Sequence, residues 1–148
     1  MELNFNIWKR GSQRAVHKPL LLLYVLSQYQ KGHERFFTYA EIEQPLKKLL
    51  IEFSPLQDGR NTPVPFWRLQ NDGFWELKNH ERVVPNSSGD AKKSELIEYN
   101  VAGGFIESVY NALVQDKAQI AHIVCDLLDE YFLPKVHGVI VDRLDIVS

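Results

Sequence analysis

Apolar residues recur at helical spacing over most of this chain. Positions 20–26 read Leu, Leu, Leu, Leu, Tyr, Val, Leu. They predict a buried helix over about 18–30, with Leu20, Leu21, Leu23, Tyr24 and Leu26 on its inner side. Pro19 suits the first turn of that helix, where its missing N–H is not needed. A turn over about 12–17 is expected to lead into it, after a weak alternation from Leu3 to Trp8. Thr38 and Glu41 form a capping box ahead of Ile42, Leu46, Leu49, Leu50 and Phe53, which predicts a second helix. Pro45 should kink or split it. Residues 54–65 are rich in Pro, Gly, Asn and Asp and read as loop. Over 65–77, Phe66 and Trp67 on one side and Phe74 and Trp75 on the other flank Asn71, Asp72 and Gly73. That arrangement predicts a β-hairpin.

Further along, Val83 and Val84 are read as a short strand, 86–93 as a polar loop and about 92–98 as a helix. Gly103 and Gly104 are taken to open another helix, striped by Phe105, Val109 and Leu113. Ile120, Ile123, Val124, Leu127, Leu128, Tyr131 and Phe132 mark a long amphipathic helix that Pro134 ends. A last helix is placed at about 138–145. The expected fold class is mainly α with a β-hairpin (α+β), a single compact domain over 1–148 with a small antiparallel sheet.

Composition supports an ordinary globular domain. The 148 residues are 45% hydrophobic and 24% charged, enough for a core and a solvated surface. No apolar run approaches the ~20 residues that span a bilayer, and the N-terminus lacks the apolar core of a signal peptide. A cytoplasmic setting without membrane contact is expected. The one cysteine, Cys125, cannot form an intramolecular disulfide, and its helical surroundings predict a buried thiol. His122 is expected to be half-buried on the same helix.

Charge changes the picture more than composition does. The net charge is only −2. Residues 1–93 nevertheless carry 14 Lys/Arg against 10 Asp/Glu, and residues 94–148 carry 3 against 9. A basic front and an acidic back fit a polyanionic partner.

A catalytic centre finds little support. Glu76, Leu77 and Lys78 match half of a carboxylate nuclease signature, but Asp72 lies in the predicted turn and is badly placed to share a metal with Glu76. His17, His33, His80, His122 and His137 form no zinc-ligand spacing. No phosphate-cradling glycine motif occurs, so neither a metal nor a cofactor is expected and the domain is read as non-catalytic.

Three segments have binding chemistry. Lys9, Arg10, Arg14, His17 and Lys18 lead into a helix N-terminus, whose exposed N–H groups attract anions. Arg and Lys there add charge-assisted bonds to phosphate. The plainer reading is a solvated basic face. Pro63, Val64 and Pro65 form a stiff apolar lip beside Arg68. Ser88, Gly89, Asp90, Lys92 and Lys93 lie in or beside a small flexible loop able to enter a DNA groove, or merely to cap a helix.

Taken in order, His17-Lys18-Pro19-Leu20-Leu21-Leu22-Leu23, the stretch from Pro65 through Trp75, Ser88-Gly89-Asp90 and the closing Leu127-Leu128-Asp129-Glu130-Tyr131-Phe132 resemble the sulfur-binding domain of phosphorothioate-dependent restriction endonucleases. The resemblance covers nearly the whole chain. It implies a module that binds double-stranded DNA in which sulfur replaces one non-bridging phosphate oxygen. It places phosphate contacts at Arg10, Arg14, His17 and Lys18. The sulfur cup falls at Val64, Pro65 and Arg68, and base or groove contacts fall at Ser88, Gly89, Asp90, Lys92 and Lys93. Such domains usually accompany an HNH nuclease, so a nuclease in cis and a homodimer are both open. Val64 departs from the aromatic residue often found before the cup proline, which points to a shallower cup or one closed by the Arg68 stem. The reading from another class is a protein-interaction domain docking through the aromatic hairpin.

Overall fold

The structure, a computed structural model, describes residues 16–55, 59 and 61–147, with the backbone of 9, 10, 13 and 14. The expected alternation over Leu3 to Trp8 lies outside the described residues. Where a turn was expected, two short strands pair instead, β1 (Lys9–Arg10) and β2 (Gln13–Arg14). Their antiparallel register sets Lys9 opposite Arg14 and Arg10 opposite Gln13.

Helix α1 spans His17–Gln30, and Pro19 occupies its first turn as its chemistry allows. Leu20 to Leu23, Val25, Leu26 and Tyr29 are all buried, so α1 is wrapped on nearly every side rather than amphipathic. Strand β3 (Phe37–Thr38) runs directly into α2 (Tyr39–Phe53). Thr38 Oγ1 accepts the Glu41 N–H and the Glu41 carboxylate accepts the Thr38 N–H, the capping box that the spacing predicts. Glu41 is partly buried, which alone would raise its pKa. The hydrogen bonds from the Thr38 backbone, His33 and the Thr38 hydroxyl outweigh that and hold it below the ordinary value.

Helix α2 passes unbroken through Pro45, against the expected split. Buried Ile42, Leu46, Leu49 and Leu50 lie on both sides of it, and that packing outweighs the ~3 kcal/mol cost of an interior proline.

The predicted hairpin is absent. Pro63–Arg68 is a helix, α3, and Leu69–Asp72 continues it as a 3₁₀ turn. Proline at the start of α3 needs no hydrogen-bond partner for its nitrogen. The Asn-Asp-Gly signal serves as a helix stop instead of a hairpin turn, with Gly73 at φ +90°. Only the second aromatic run is extended, as β4 (Trp75–Lys78), with alternating burial.

The partner of β4 is β5 (Ala102–Phe105), where a helix start was expected at Gly103 and Gly104. The sheet order is β3-β5-β4, all antiparallel. Its central strand needs glycines for clearance. A Cβ on Gly103 would sit 2.7 Å from the Trp75 ring, and one on Gly104 would sit 2.1 Å from the Arg35 carbonyl oxygen. The remaining helices are α4 (Lys93–Glu98), α5 (Glu107–Gln115), α6 (Ala118–Tyr131) and α7 (Pro134–Leu144).

Val83 and Val84 form no strand; Val83 is buried and Val84 exposed. Cys125 and His122 are both exposed, which corrects two expectations. The buried stripe of α6 is Ile120, Ile123, Val124, Leu127 and Leu128, and 122 and 125 fall outside it.

Candidate nucleic-acid interface

Helix α3 is fixed along its length by polar contacts. Thr62, the residue before it, is buried and shares a 2.6 Å hydrogen bond with the Tyr39 hydroxyl of α2. Burial pushes that hydroxyl up to about 12. In the middle, the Trp75 indole N–H of β4 donates to the Phe66 carbonyl at 3.1 Å, while the Phe66 ring meets Tyr39 and Trp75 edge-on. At the end, the Trp67 indole N–H donates to the Gly89 carbonyl at 2.9 Å. Arg68 closes the series: its Nε and Nη2 donate to the two carboxylate oxygens of Asp90 at 2.6 and 2.8 Å.

The loop that receives these contacts is itself ordered by hydrogen bonds. The Asn86 side-chain oxygen accepts the backbone N–H groups of Ser88 and Asp90, and the Asn86 N–H reaches back to the Asp90 carbonyl. Gly89 closes the turn at φ +82°, a backbone state in which a side chain is strained. The expected cup and the expected base-reading loop, some 20 residues apart in the chain, are thus one rigid surface unit.

Within this unit the candidates differ in access. Val64 is half-buried, as is its neighbour Pro63, while Pro65 is buried. Ser88 and Gly89 are exposed and Asp90 is buried. Lys92 is exposed at the cap of α4, and Lys93 is ion-paired to Glu43 of α2. Arg68 keeps 47% of its side chain exposed, and the Asp90 hydrogen bond holds it more firmly protonated than a free arginine. Pro63 belongs to the apolar lip expected from the sequence, whereas Asn86 and Trp67 were not singled out for these roles.

At α1 the arrangement is different. Among the described residues no side chain caps its N-terminus, and its first turn contains no acid of its own. His17 is half-buried at that start. Lys18 donates to Asp72 of the 3₁₀ turn at 2.6 Å, with side chains only 13% and 2% exposed. Its charge is thus paired with an acid of the same molecule, at a residue expected to contact phosphate. The side chains of Arg10 and Arg14 lie outside the described residues.

Both carboxylates weighed for the nuclease half-signature are ion-paired. Glu76 pairs with Arg35 at 2.7 Å and Asp72 pairs with Lys18. Among the described residues no three His, Cys, Asp or Glu side chains are grouped to hold a metal. The aromatic docking surface also disappears, because Phe66, Trp67, Phe74 and Trp75 are all buried. No described helix is long and apolar enough to cross a membrane.

These features define an α+β binding module whose polar side chains fix the shape of a surface. The chain belongs to the ScoMcrA-like DNA sulfur-binding domain family, whose family model matches residues 3–147. Among solved structures it is similar to the sulfur-binding domain of ScoMcrA complexed with phosphorothioated DNA. That match has 23% identity and a TM-score of 0.86, and covers 95% of this chain and 90% of that one. The sulfur-binding domain of SprMcrA complexed with phosphorothioated DNA matches at 18% identity and TM-score 0.78, over 97% of this chain and 88% of that one. The Type IV phosphorothioation-dependent restriction endonuclease ScoMcrA matches at 24% identity and TM-score 0.80, covering 89% of this chain. The present chain spans 25% of that endonuclease. No curated protein matches the chain.

Proposed function

We propose that the chain binds double-stranded DNA carrying a phosphorothioate linkage, as the recognition module of a restriction system with a nuclease in cis. The observation that carries this is the exposed turn of α3, where half-buried Pro63 and Val64 stand beside the loop that Trp67 and Arg68 hold in place. A phosphorothioate keeps its negative charge, so cations serve it as they serve phosphate. Sulfur is larger and a poorer hydrogen-bond acceptor than oxygen. Seating it on an apolar turn forfeits little hydration, whereas an oxygen there loses hydrogen bonds at a cost of about 1–3 kcal/mol.

In this reading Arg10, Arg14 and His17, at and before the N-terminus of α1, supply affinity for any phosphate. Val64 supplies the preference for sulfur, and Ser88, Gly89 and Lys92 face the groove. Pro65 supports the turn from beneath and Lys18 fixes the start of α1. The test is an electrophoretic shift with two duplexes differing in a single sulfur atom. The modified duplex should bind at least about tenfold more tightly, a difference of about 1.4 kcal/mol; equal binding overturns the proposal. Arg14→Ala should weaken both duplexes alike and lower the salt slope by about 0.9.

A further inference from the structure

The use of Asp90 does not fit a residue that reads a base. Both of its carboxylate oxygens are taken by Arg68, its N–H is taken by Asn86, and its side chain is 9% exposed. Arg68 gives Asp90 only two of its five N–H donors and remains substantially exposed. It stands four residues after Val64 on α3, so the two share a helix face. An arginine there, if unopposed, would grip any phosphate that came to the turn. A guanidinium also bonds oxygen better than sulfur, so such a grip would favour the unmodified linkage.

We propose that Asp90 is a specificity-determining positioning residue: it holds Arg68 in place and cancels its charge, so the edge of the α3 turn offers ordinary phosphate no unopposed cation. The proposal rests on the reading of Val64 and its turn as the sulfur seat. The pair as a unit is neutral and adds little to the attraction for DNA at large. Its contribution is to withhold a contact that the wrong ligand would use best.

The experiment measures affinity against salt for Asp90→Asn and for the double variant Arg68→Met with Asp90→Asn, on plain and phosphorothioated duplexes. Thermal unfolding of each variant is followed alongside. Asp90→Asn is expected to bind the plain duplex about three- to tenfold more tightly, with a salt slope steeper by about 0.9. Its sulfur preference should fall. The double variant replaces a neutral pair with neutral side chains and should return both the slope and the preference to those of the parent.

A changed preference among flanking base pairs with an unchanged slope would make Asp90 a base reader and overturn the proposal. Equal weakening on both duplexes at an unchanged slope would overturn it too, since that is the mark of a merely structural pair. If Asp90→Asn unfolds, the double variant still decides. A slope shallower by about 0.9 there would mean that Arg68 already spends its charge on DNA. Should the parent chain bind both duplexes equally, the proposed function fails, while the slope on the plain duplex still tests this inference.

Discussion

Two regions of this domain clip a cation to a carboxylate, and they do so to different ends. At the start of α1, Lys18 meets Asp72, and the pair is almost wholly withdrawn from solvent. At the end of α3, Arg68 meets Asp90, and only the acid is withdrawn. In the first pair both charges are spent on joining α1 to the 3₁₀ turn. In the second, the acid is buried and balances a cation that keeps part of its side chain at the surface. The comparison shows that the charge of a basic residue in this sequence says little about its availability. What decides is which carboxylate the side chain meets and how much of it stays exposed.

The sharpest way to break the comparison is at the buried pair. Asp72→Ala leaves Lys18 buried without its carboxylate, and should lower unfolding stability by about 3–5 kcal/mol. Chemical denaturation would measure it, and a loss below about 1 kcal/mol would put the two pairs in one class. Next in size is the surface beside the second pair. Val64→Asp sets a charge against the incoming backbone and should reduce affinity for the modified duplex by about 1–3 kcal/mol, read by titration. A smaller effect is expected from Trp67→Phe, which keeps the ring and deletes the bond to Gly89. It should cost about 1 kcal/mol and raise amide exchange over 86–90 while leaving α1 unchanged.

The smallest effect concerns pH. Glu41 is held below its ordinary pKa in the folded chain. Its contribution to stability is therefore present above the ordinary carboxylate value and lost as pH falls through the folded one. Thr38→Val, which removes the hydroxyl from the capping box, should flatten that acid limb in a denaturation series. An unchanged limb would remove Glu41 from the account.

The capping box was legible in the sequence because all its parts lie within four residues. So were α1, a long apolar run after a first-turn proline, and α6, whose stripe leaves no competing period. The segment around 63–73 was not. Its prolines and its Asn-Asp-Gly suit a hairpin and a capped helix equally, and the choice is made by Trp75, Tyr39 and Gly89, which are distant in the chain. Strand β5 was misread for the same reason. Gly103 looks like a helix start until the Trp75 ring is laid across it. The lip and the loop could be named through family resemblance, but not their joining. Nothing in the sequence links Arg68 to Asp90 before the chain is folded. Cys125 misled because an apolar neighbourhood in sequence is not an apolar face of a helix.

The glycine under Trp75 has a consequence for how this surface can vary across generations. Trp75 lies against Gly103 on one side and holds the Phe66 carbonyl of α3 on the other. A side chain at 103 would press on the indole whose N–H holds the helix that bears Val64 and Arg68. Residues 64, 68 and 90 are not among the nearest atoms that a side chain at 103 would meet. Inheritance should therefore purge novelty at this glycine more strictly than at the exposed residues of the surface it underlies.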